Sequence, residues 1–94
     1  MATCRFTTTT EDDRVRVNVL EFSEGDDTGH HRHEFDYLVV PVTGGTFEVI
    51  ENDGSTRQLV QEAGAPYMGR AGTEHNVFNR SGRAASFVEI ELKG

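Results

Sequence analysis

Apolar and polar residues alternate with a period of two through most of the chain. Residues 14–19 place Val15, Val17 and Val19 at every odd position, which predicts a strand with a valine face. At Leu20 and Phe22 the apolar parity passes from odd to even, as a bulge or a strand passing between two sheets would produce. The closing segment Ala85–Leu92 is also two-faced, with Phe87, Glu89 and Glu91 opposing Val88, Ile90 and Leu92. Residues 46–51 and 56–60 flank Asn52-Asp53-Gly54-Ser55 and read as a hairpin. Residues 4–10, rich in Thr and carrying Phe6, predict another short strand, and residues 30–42 a single long one. Shorter strands follow at Tyr67-Met68 and over residues 75–79. No segment offers helical periodicity with caps. About nine short strands joined by Gly-rich turns predict an all-β sandwich or barrel, one domain over residues 1–94, with Phe6, Phe22, Phe47, Phe78 and Phe87 in its core.

Composition narrows the partners. Acidic residues outnumber basic ones 16 to 9, for a formal charge of −7, and no Lys/Arg cluster interrupts that field. Nucleic acid and anionic membrane are therefore poor partners, and the expected partners are a small-molecule ligand and a second copy of the chain. The single Cys4 rules out an internal disulfide, and Met1-Ala2-Thr3-Cys4-Arg5 lacks the apolar run of a signal peptide. A reducing cytoplasm is expected. Cys4 itself, far from the histidines in sequence, is expected to be inert. The longest apolar run, Leu38-Val39-Val40-Pro41-Val42, is far short of a membrane span.

Candidate chemistry lies in the histidines. Three of the four, His30, His31 and His33, fall within four positions, and His75 follows well downstream. Alternate side chains share a strand face, so His31 and His33 point one way and His30 the other. Two imidazoles on one face are half of a metal site, and His75 is the natural third ligand. Imidazoles bind metal only when neutral, so occupancy is expected to fall below their ordinary pKa of about 6.5. The acidic loop Glu24, Asp26, Asp27 lacks the oxygen-ligand pattern of a calcium site.

Residues 25–44 read Gly25, five residues, His31-x-His33, three residues, Tyr37, six residues, Gly44. Residues 64–79 read Gly64, five residues, Arg70-x-Gly72, two residues, His75, three residues, Asn79. These resemble the two motifs of the cupin superfamily, and the wider sequence is similar to small single-domain bacterial cupins. The resemblance implies a jelly-roll barrel with His31, His33 and His75 holding a divalent ion such as Fe, Ni, Mn or Zn. Two positions depart from the pattern. Tyr37 stands where the family has a glutamate ligand, which implies a neutral three-His site, with Tyr37 a core aromatic, a ligand or a hydrogen-bond donor beside the ion. Glu34 and Asp36 cannot substitute, because strand parity points them outward. Arg70 replaces the motif proline.

Two functions follow from the resemblance. One is a metal-dependent enzyme, in the manner of three-His dioxygenases, acting on a small anionic metabolite that chelates the ion. The other is a non-catalytic small-molecule binding or regulatory protein using the same pocket. Both stand open on the sequence, as does the role of Tyr37. A homodimer is expected, since strands near both termini leave edges and apolar faces to cover.

Overall fold

The structure, a computed structural model, describes residues 3–94. Its strands are β1 (Arg5–Glu11), β2 (Val15–Phe22), β3 (His31–Arg32), β4 (Asp36–Pro41), β5 (Gly45–Glu51), β6 (Thr56–Gln61), β7 (Tyr67–Gly69), β8 (Glu74–Asn79) and β9 (Ala85–Leu92). They form two antiparallel sheets, ordered β1-β2-β9-β4-β7 and β3-β8-β5-β6. This is the expected jelly roll. The β5–β6 hairpin falls where Asn52 to Ser55 placed it. No helix among the described residues is long and apolar enough to cross a membrane.

Three local expectations are corrected. Residues 30–42 are not one strand: the chain bends at Glu34–Phe35 and passes from β3, paired with β8, to β4, paired with β7 and β9. A strand that changes sheets must break its ladder at the corner. The parity change at Leu20 is not a bulge, because β2 pairs with β9 in unbroken register from Val15↔Leu92 to Phe22↔Ala85. Instead the odd-numbered valines line the outer face, while Asn18, Leu20 and Phe22 are buried on the inner one. The irregularity sits on β1, between Thr8 and Thr10. Finally, Phe6 is 55% exposed, because edge strand β1 has no neighbour on its far side to cover it.

The interior changes character along the strands. At one level Phe22, Phe47 and Phe87 meet with ring centroids 5.4 to 5.8 Å apart, mostly edge-to-face, and pack with Val49, Leu20 and Ala85. Further along β2 and β9 the inward pairs become Asn18↔Glu89 and Arg16↔Glu91. The aromatic end supplies the core. The polar end surrounds a cavity of about 760 Å³, where the histidines converge.

Candidate metal centre

His31 and His75 are direct register partners across β3 and β8, so backbone pairing alone sets their rings side by side. His33 lies just past β3, yet its N–H donates to the Thr73 carbonyl at 2.8 Å while Gly72 N–H donates to the His33 carbonyl at 2.8 Å. These two bonds extend the ladder far enough to hold the third ring. His31 Nε2 and His33 Nε2 are 3.0 Å apart, and His33 Nε2 and His75 Nε2 are 3.3 Å apart. One ligand atom from each residue falls within 4.8 Å of the others.

These separations fit a metal ion. With metal–nitrogen bonds of about 2.0–2.1 Å, two ligands sit about 2.9 Å apart at a right angle and about 3.4 Å apart at the tetrahedral angle. The tautomer also fits at His31, whose Nδ1 lies 2.9 Å from the Gly29 carbonyl oxygen. A carbonyl can only accept, so the proton is held on Nδ1 and the Nε2 lone pair is left facing the cluster. His75 Nδ1 is buried without a hydrogen-bond partner among the described residues.

Burial holds two of the three rings neutral. Burial, followed by the proximity of His31 and His75, pushes His33 down to about 3. Burial, then His31, Arg57 and His30, pushes His75 down to about 4. Protons therefore compete for these two nitrogens only well below 6.5, which revises the pH expected from ordinary imidazoles. His30 is exposed on the opposite face, its Nε2 2.7 Å from Glu74 Oε2, as parity indicated.

Tyr37 is inside, 5% exposed, despite the bend that separates it from the histidines. Its ring stacks on His33 at 3.8 Å between centroids with 17° between planes. The ring occupies the space over Gly69, its register partner on β7, where a Cβ would stand 2.0 Å from Tyr37 Cζ. Burial, reinforced by Glu89 and Tyr67 and opposed by the Thr73 hydroxyl, raises the phenol to about 12. It is a neutral donor. Asp36 faces outward, as expected, and accepts from Ala71 N–H at 2.8 Å. Glu34 is exposed but reaches the edge of the cavity.

Arg32 and Arg70 also line the cavity mouth, and among the described residues neither forms an ion pair. The acidic loop before the histidines is structural: Asp27 accepts from Asn76 Nδ2 at 2.9 Å, and Glu24 from Gly82 N–H at 2.6 Å. Cys4 is not remote from it, since its N–H donates to the Asp27 carbonyl at 2.7 Å. Burial, then Asp26 and Asp27, raises the Cys4 thiol to about 11, which keeps it protonated and unreactive.

The sequence reading missed Glu89 and Glu91 as cavity-lining residues and Asn18 as the amide that bonds both. All three are buried. The available signal was that Ala85 and Phe87 share a strand face with both glutamates.

No family model matches the chain. A protein of Pseudomonas aeruginosa named beta-alanine degradation protein BauB is 44% identical over 87 residues, covering 90% of each chain. The crystal structure of a cupin domain from Bordetella pertussis superposes with a TM-score of 0.94 at 36% identity, over 99% of this chain and 96% of that one. A double-stranded β-helix protein from Klebsiella pneumoniae shares the fold, with a TM-score of 0.79 at 19% identity over 98% and 78% of the two chains. With the jelly roll, the histidine spacing and these relatives in agreement, the chain belongs to the cupin superfamily.

Proposed function

We propose that this cupin is a metal-dependent enzyme acting on a small anionic metabolite, with His31, His33 and His75 as the ligands of one divalent ion. The observation that carries the reading is the approach of their Nε2 atoms, at 3.0 and 3.3 Å, with His33 and His75 buried where imidazolium is disfavoured. A divalent ion held there supplies Lewis acidity and, if it is Fe(II), a place for dioxygen to react. The chain's own contribution is electrostatic. Three neutral imidazoles leave the positive charge of the site uncompensated, and Arg32 and Arg70 at the mouth add to it, so a carboxylate is drawn inward. Tyr37, held neutral and stacked on His33, offers a hydroxyl donor to the ligand. The name of the Pseudomonas relative supports a substrate from β-alanine breakdown.

The test is an oxygen-uptake screen with untagged protein of known metal content, run against β-alanine and other short carboxylates. Metal-dependent uptake supports the enzyme. Tight ligand binding without turnover for any of them favours the non-catalytic binding protein instead. In the same assay Tyr37→Phe is expected to retain metal and fold while turnover or ligand affinity changes. Loss of metal in that variant would make Tyr37 a fourth ligand.

A homodimer forms part of the same proposal. The outer face of the five-stranded sheet gathers Val17, Val19, Leu38, Val40, Val88 and Ile90 in adjacent register. In a chain of charge −7, two copies can approach over such an uncharged patch with little repulsion. Light scattering is expected to return twice the 10.4 kDa chain mass, and Val17→Arg to return the monomer. A monomer mass for the unaltered chain at all concentrations would contradict this.

A further inference from the structure

Glu89 is unusually placed for a carboxylate. It points into the barrel from the middle of β9, between Asn18 on β2 and Val39 on β4, and is 8% exposed. Its Oε1 accepts from Asn18 Nδ2 at a long 3.3 Å. Among the described residues nothing donates to its second oxygen, which opens on the cavity. Neighbouring Glu91 is better served, because its Oε2 takes both a 2.8 Å bond from Asn18 Nδ2 and a 3.2 Å bond from Arg16 Nη1. Asn18 has nothing further to give: both its amide hydrogens serve the glutamates, and its Oδ1 accepts from Thr8 at 2.9 Å. Burying a half-satisfied carboxylate costs stability, so folding does not account for Glu89.

We infer that Glu89 is the cavity's acceptor for an ammonium group, so that the ligand is a short zwitterion with its carboxylate at the histidine cluster and its ammonium on Glu89. The carboxylate half of this rests on the metal reading above; the ammonium half rests on Glu89 alone. The groups facing Glu89 agree with that orientation. Arg16 on β2 is committed to Glu91 and Glu11, Arg57 on β6 to Glu51, and Tyr37, Tyr67 and the Cys4 thiol are neutral. A ligand carboxylate placed here meets two acidic side chains, whereas an ammonium supplies both the missing donor and the missing charge. Burial, with Glu91 adding to it and Asn18 and Arg16 opposing, raises Glu89 to about 7. Binding an ammonium favours the ionised form, so the ligand displaces a proton when it binds below that pH.

Calorimetric titration with β-alanine and with propionate, which lacks only the amine, tests the inference on metal-loaded protein. At pH 8 β-alanine is expected to bind at least ~10-fold tighter, and the preference is expected to shrink as pH falls below 7. Glu89→Gln keeps the size of the side chain and an acceptor for Asn18. It is expected to abolish the preference, chiefly by weakening β-alanine binding. Equal affinities in the unaltered protein, a preference for propionate, a preference that survives Glu89→Gln, or no β-alanine binding would each overturn the inference. The pH series needs only the unaltered protein, so it remains decisive if the variant folds poorly. Failure of the metal reading shows separately, as protein without metal that still prefers the amine.

Discussion

Gly69→Ala is expected to lower the stability of the fold by about 1–3 kcal/mol, which for a domain of this size is a melting-temperature drop of roughly 5–20 °C. The cause is space. Gly69 is not among the glycines with positive φ, so its backbone would accept alanine. A Cβ there, however, would stand 2.0 Å from Tyr37 Cζ, 2.3 Å from Cε2 and 2.4 Å from the hydroxyl oxygen. The Tyr37 ring can yield only toward the cavity it lines, because it is stacked on His33 at 3.8 Å. It must tilt off His33 or push β7 from β4. Metal content is expected to survive, because no histidine touches Gly69 in the ladder, whereas ligand affinity is expected to fall. Differential scanning calorimetry reads the first effect, and the double variant Gly69→Ala/Tyr37→Ala should lose less stability than the two single variants summed, since the two sites are in contact. An unchanged melting temperature for Gly69→Ala would show that Tyr37 is loosely held and has no defined place beside the cluster.

His75→Ala is expected to weaken metal binding by at least ~100-fold, whereas His30→Ala leaves it unchanged. In the proposed three-histidine set His75 is the only member from β8, so its loss would leave two neighbours that bind from one side. His30 faces Glu74 outside the barrel. The same burial gives the metal-free protein a distinct pH dependence. His33 and His75, at about 3 and about 4 in the folded state, lie below the unfolded value near 6.5. As pH falls below 6.5 the unfolded chain therefore takes up protons that the folded one refuses, and the contribution of these two histidines becomes destabilising, down to about pH 4 and 3. Glu89 works the other way between about 7 and 4.5, its folded form binding a proton that the unfolded form does not. Glu89→Gln is thus expected to remove the opposing term and steepen the acid loss seen in denaturant titrations. Metal binding, so far as His33 and His75 set it, is expected to be nearly flat from pH 7 to 5. Proton uptake near 6.5 on the His33 and His75 rings themselves, followed by NMR in the metal-free protein, would show that the two rings are solvated.

The strands, the β5–β6 hairpin and the convergence of His31, His33 and His75 were legible because each depends on local alternation or on motif spacing. Position within the fold was harder to read. The break at Glu34–Phe35 has no local signature, since it arises because β3 bonds to β8 while β4 bonds to β9. Alternation showed that β9 has two faces but not which is inside. Val88, Ile90 and Leu92 look like a core face, yet they lie outside, while Phe87, Glu89 and Glu91 line the interior. The same ambiguity gave β2 its apparent bulge. Tyr37 was correctly expected inside, though from an unbroken strand that does not exist. It stays there because β4 restarts with Tyr37 opposite Gly69 and Glu91. Phe6 was misread because edge position depends on the whole strand order rather than on its neighbours in the chain.

X-ray absorption at the edge of the bound metal tests the three-histidine centre most directly. The protein should be purified without a tag or added metal. The account predicts about one ion per chain, with a first shell of light-atom scatterers at about 2.0–2.1 Å and the outer-shell pattern of three imidazoles. Absence of metal after loading with Fe(II), Ni(II), Mn(II) and Zn(II), a sulfur shell, or a pattern requiring no more than one imidazole would contradict it.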